Sequence, residues 1–84
     1  MLPDRESDAE KSLRETLRQA RVNAGLRQSD LADALGMPQS FVSKYESGER
    51  LLTFAETLFI LKHLGVSGAS VAKRISENLD DSKS

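Results

Sequence analysis

The run QSDLADALGMPQSFVSKYESG, residues 28 to 48, constrains this chain more than any other feature. Leu31, Ala32 and Leu35 recur at helical spacing, Val42 and Tyr45 do so again after a break, and Gly36, Met37 and Pro38 lie between. Ala32 is small where two helix backbones must approach closely. Pro38 drives Met37 out of helical geometry and pre-sets the turn that follows. The spacing predicts two short helices, about Gln28 to Leu35 and Gln39 to Ser47, crossing at a tight turn, with Gly48 ending the second. Phe41 is expected to face partly inward, while Gln39, Ser40, Ser43 and Lys44 are left on the outer face.

The rest of the chain supplies helices to pack against this pair. Leu13, Leu17, Ala20 and Ala24 place one apolar stripe on a helix from about Ala9 to Ala24, with Gly25 as its stop. Thr53 followed by Glu56 is a capping-box pattern opening a fourth helix that runs to about Leu64, with Phe54, Leu58, Leu61 and Leu64 as its core stripe. A last helix from about Ala69 to Leu79 carries Val71, Ala72, Ile75 and Leu79. The expected organisation is a flexible tail over 1–8, one all-α domain of five helices over 9–79 and a frayed tail over 80–84. With 84 residues, 38% of them hydrophobic and none of them cysteine, the chain can bury one modest core. Neither disulfides nor a thiolate zinc site can supplement it.

Several functions are excluded at this level. The longest apolar run is Leu58 to Leu61 and the first ten residues, MLPDRESDAE, lack a leader pattern, so a cytoplasmic protein without membrane association is expected. His63 is the only histidine, and one histidine with scattered carboxylates gives no nucleophile, base and orienting group; a non-enzyme without cofactor or metal is expected. The net charge of −1 opposes a broad electrostatic attraction to nucleic acid. Residues 14 to 50 nonetheless carry six basic against five acidic side chains. Any DNA contact must therefore rest on a few placed cations, helix N-termini and polar groups.

Taken in order, LRQARVNAGLRQSDLADALGMPQSFVSKYESGER resembles the helix-turn-helix domain of the phage repressor and Cro family, also called Xre. The resemblance covers about Leu13 to Val66 and implies a λ-repressor-like fold. It also implies a sequence-specific DNA-binding transcriptional regulator, a repressor that binds an inverted-repeat operator in double-stranded DNA as a homodimer. By that resemblance Gln39, Ser40, Ser43 and Lys44 read base edges. Their chemistry suits this: Gln pairs bidentately with adenine, Lys donates to guanine, and Ser serves either role. Gln28, Arg27, Ser47 and Arg50 are expected at phosphates, and Arg21 with Glu46 as an ion pair bracing the first helix to the end of the third. Arg27 departs from the Ser or Thr that commonly caps the second helix in the family, which removes a side-chain acceptor.

The surplus apolar side chains admit two readings. Phe59, Ile60, Val71 and Ile75 either complete one core or form a two-fold interface, and the count for so short a chain favours the interface. The alternative function is an antitoxin-like or accessory module in which the fourth and last helices bind another protein, with DNA binding secondary. A controller protein of a restriction-modification operon belongs to the regulator class and differs only in its genetic neighbours.

Overall fold

The structure, a computed structural model, describes residues 7–79. Of the expected tails over 1–8 and 80–84, residues 1–6 and 80–84 lie outside the described residues, while Ser7 and Asp8 open the first helix. Five α-helices follow one another: α1 (Asp8–Asn23), α2 (Gln28–Leu35), α3 (Gln39–Ser47), α4 (Phe54–Leu64) and α5 (Gly68–Ser76), with a 3₁₀ turn, Glu77–Leu79, after α5. α2 packs across α3, α1 lies against both α3 and α5, and α4 closes the remaining side. Leu17, Leu31, Val42, Tyr45, Ile60 and Leu61 fill the centre.

Local chemistry sets most of the boundaries. α1 begins one residue earlier than expected because the Ser7 hydroxyl accepts from the Glu10 N–H at 3.2 Å, with Asp8 and Glu10 favourably placed at the positive helix end. Between α2 and α3, Gly36 stands at φ +70°, a conformation that lets the Met37 N–H turn back onto the Ala32 carbonyl at 2.9 Å. A side chain there would be strained by its backbone rather than by a neighbour. The Thr53 hydroxyl accepts from the Glu56 N–H at 3.0 Å and the Glu56 carboxylate accepts from the Thr53 N–H at 2.9 Å, so α4 opens on the expected reciprocal cap. α5 starts earlier than expected, where Ser67 caps the Ser70 N–H, and its end tightens into the 3₁₀ turn.

The apolar face of α4 differs from the expected stripe. Phe54 is 76% exposed and Leu58 is also exposed, whereas Thr57, Ile60 and Leu61 are buried. The face turned inward is Thr57, Ile60, Leu61 and Leu64, rotated from the stripe that began at Phe54. Ile60 is fully buried and Val71 is 5% exposed, both inside this single chain's core, so neither is available to a partner surface. Ile75 is half-buried against the core, and of the four residues expected at an interface only Phe59 is exposed.

Candidate nucleic-acid interface

The polar outer face expected to read bases is built on α3. Gln39, Ser40 and Lys44 are exposed and Ser43 is half-buried, while Phe41, Val42 and Tyr45 anchor the opposite side of the helix. Phe41 and Tyr45 meet edge to face, with centroids 5.5 Å apart. Phe41 is thus a packing residue, and its burial fixes the rotation that turns Gln39, Ser40 and Lys44 outward.

Behind this surface lies a polar network joining three helices. The Arg21 guanidinium donates from Nε to Glu46 Oε2 at 2.7 Å and from Nη2 to Glu46 Oε1 at 3.0 Å, a two-point pairing with side chains 11% and 4% exposed. The Glu46 hydrogen bond outweighs desolvation and raises the Arg21 pKa above its ordinary value. Arg21 Nη1 also donates to the Leu26 carbonyl at 2.7 Å, tying α1 to the turn before α2. Gln28 Nε2 donates to Glu46 Oε1 at 3.0 Å, and Gln39 Nε2 donates to Gln28 Oε1 at 3.4 Å. One carboxylate therefore holds α1, the start of α2 and its own helix, and its influence reaches Gln39. Arg14, which sequence reasoning passed over, donates to the Glu46 carbonyl at 3.0 Å. The Tyr45 ring is buried beside this network, and loss of solvation pushes its phenol pKa up.

The residues expected at phosphates are arranged less openly. Arg27 stands at the N-cap of α2, but a guanidinium cannot accept a hydrogen bond, so only half of a capping box forms there, the Asp30 carboxylate accepting from the Arg27 N–H at 2.9 Å. The same carboxylate takes Arg27 Nε and Nη2, each at 3.0 Å, and these bonds lower the Asp30 pKa to about 2. Asp30 satisfies the Arg27 N–H, but the first-turn N–H groups of α2 receive no side-chain cap from residue 27. The position of Asp30 three residues after Arg27 was the available sequence signal.

The end of α3 is closed in the same way. Gly48 is at φ +86°, and the N–H groups of Glu49 and Arg50 turn back to the Lys44 carbonyl at 2.9 and 3.1 Å. The Ser47 hydroxyl donates to that carbonyl at 3.0 Å. Arg50 pairs with Glu56 through two bonds, Nη1 to Oε1 at 3.0 Å and Nη2 to Oε2 at 2.8 Å, with its Cζ 4.9 Å from the Phe41 ring centroid. This pairing, joined by the Thr53 N–H, lowers the Glu56 pKa to about 2. Arg50, expected at a phosphate, is held in this structure by a carboxylate of this chain.

His63 sits on the exposed last turn of α4, its ring edge-on to Phe59 at 4.7 Å between centroids. Among the described residues no three His, Asp or Glu side chains gather as a metal site, and no helix is long and apolar enough to cross a membrane.

The chain that forms this two-helix crossing matches the family model of the helix-turn-helix domain over residues 12–73. The chain belongs to that family of Xre-type DNA-binding transcription regulators, which are not enzymes. Among solved structures it is similar to a point mutant of the restriction-modification controller protein C.Esp1396I, at 26% identity and a TM-score of 0.76 over 88% of this chain and 94% of that one. It is similar, at 25% identity and a TM-score of 0.75 over 87% and 96%, to the C.Esp1396I tetramer in complex with its natural 35 base-pair operator. The clp gene regulator ClgR from C. glutamicum shares the fold at 22% identity, with a TM-score of 0.74 over 95% and 100%. No curated protein is similar enough in sequence to count as a relative.

Proposed function

We propose that this protein is a sequence-specific transcriptional regulator that occupies an inverted-repeat operator as a dimer and represses. The observation that carries the reading is the outward set Gln39, Ser40, Ser43 and Lys44 on a helix whose rotation is fixed by buried Phe41, Val42 and Tyr45. Lys44 and Gln39 suit guanine and adenine edges, and the Gln28 contact to Gln39 pre-orients an amide that would otherwise lose rotamer freedom on binding. The operator-bound tetramer of the similar controller protein supports a multimeric DNA complex.

Dimerisation rests on the other side of the molecule. Phe54, Leu58 and Leu79 stand exposed around a groove of about 390 Å³ between α4 and α5, floored by Leu61, Val71 and Ile75, and Phe59, which does not line it, is exposed elsewhere on α4. An apolar face this concentrated on so small a chain fits a two-fold contact, which sets two recognition helices about 34 Å apart on successive major grooves. Phe54, Leu58 and Phe59 replace Ile60 and Val71 as the interface residues.

Selection of binders from a random duplex pool tests the reading. An enriched inverted repeat, bound tightly by the wild type and weakly by Lys44→Ala, is the expected result. A folded protein that enriches no sequence contradicts it and favours the accessory-module alternative, in which the same apolar face takes another protein.

A further inference from the structure

Arg50 has the position of a phosphate ligand and the partner of a structural residue. It lies three residues beyond the end of α3, with its guanidinium stacked on Phe41, the neighbour of Ser40 on the base-facing helix. Both outer nitrogens point to the two oxygens of Glu56 at 3.0 and 2.8 Å. Flexible surface ion pairs exchange readily with competing anions. Glu56 is not of that kind, because Oε1 also accepts the Thr53 N–H and the residue is fixed as the third position of the α4 cap. The guanidinium fork is therefore filled by a rigid carboxylate with the geometry a phosphate would take.

We propose that Glu56 is an affinity-setting residue, an internal phosphate mimic that keeps Arg50 from the DNA backbone and so lowers the protein's sequence-independent attraction to DNA. The inference rests on the DNA-binding reading above and extends it to how strongly that surface binds. In a chain of net charge −1, removing one cation from the phosphate-facing set shifts the balance from general electrostatic binding toward base reading by α3. Arg50 then acts through the fold, bridging the turn after α3 to the start of α4.

Glu56→Gln tests this, because glutamine keeps the cap bond to the Thr53 N–H and removes the charge. The probe is a random-sequence 24-base-pair duplex titrated over a range of salt, so no operator need be known. Release of Arg50 steepens the dependence of log K on log salt by about 0.9, and the variant's advantage shrinks about threefold between 50 and 200 mM salt. In an Arg50→Gln background the same change at residue 56 has no such effect. Arg50→Gln alone, with a melting curve confirming its fold, leaves affinity within about twofold and the slope unchanged.

Three results overturn the inference. One is an unchanged slope in folded Glu56→Gln; another is a gain that persists without Arg50, which reports only the loss of a negative charge. The third is a slope flattened by about 0.9 in Arg50→Gln alone, which places Arg50 on phosphate in the wild type. Binding by the wild type with any of these leaves the DNA-binding reading standing. No binding by wild type and Glu56→Gln alike, even at low salt, overturns both.

Discussion

The α1–α2–α3 half and the α4–α5 half of this molecule treat surplus side chains in opposite ways. In the first, polar groups are matched inside the chain: Glu46 serves Arg21 and Gln28, Asp30 serves Arg27, and the Lys44 carbonyl takes Ser47, Glu49 and Arg50. In the second, apolar groups outnumber the places to hide them, and Phe54, Leu58, Phe59 and Leu79 remain in solvent, against Val22 and Met37 in the first. The proposed function, with DNA on one half and a second copy on the other, calls for this division. The DNA face must be rigid before the ligand arrives, whereas the apolar face gains its stability only when covered.

The division yields a ranked set of outcomes. The largest is in the matched half: Glu46→Ala leaves the 11%-exposed Arg21 guanidinium without its carboxylate and costs about 3–5 kcal/mol in urea unfolding. A loss below about 1 kcal/mol removes the bracing role. Next, α4 separates into two faces that respond differently. Ile60→Ala, at a fully buried site, costs about 2–5 kcal/mol. Phe59→Ala changes monomer stability by only about 0.5 kcal/mol and instead weakens self-association in sedimentation. Equal effects at the two sites erase the contrast.

Smaller changes sharpen the DNA half. Lys44→Ala costs about 1–3 kcal/mol at particular base pairs of a selected site, whereas Gln28→Ala weakens all sequences and, beyond that, only the base pair read by Gln39, measured by competition with single-base variants. The smallest effect is in acid. Asp30 and Glu56 have folded-state pKa values of about 2, below the ordinary 3.8 and 4.5, so folding favours their ionised forms. Their stabilisation is complete above about pH 4.5 and is lost as pH falls toward 2. Melting temperature should drop across that window, and less steeply in Glu56→Gln.

What was legible in the sequence follows the same line. The bounds of α2 and α3 were readable to the residue because Gly36, Pro38 and Gly48 act through their own backbone preferences, and α4 opened at Phe54 because Thr53 and Glu56 cap each other locally. The inward face of α4 was not readable. Phe54, Leu58 and Leu61 make as good a stripe as Thr57, Ile60 and Leu61, and only the placement of α1, α2 and α5 decides which one is covered. Charge partners were harder still. Arg50 looked like a phosphate ligand and Glu56 like a cap, and their meeting six residues apart depends on the path of the turn between α3 and α4.

An amide chemical-shift map recorded while titrating the protein with duplex DNA carrying its selected site, at constant protein concentration, tests the central claim most directly. The account predicts the largest shifts at Gln28 and along Gln39, Ser40, Ser43 and Lys44, with the amides around Phe54, Leu58 and Phe59 little changed by DNA and sensitive instead to protein concentration. Largest shifts along α4 and α5 on adding DNA, with the start of α3 unmoved, would contradict it.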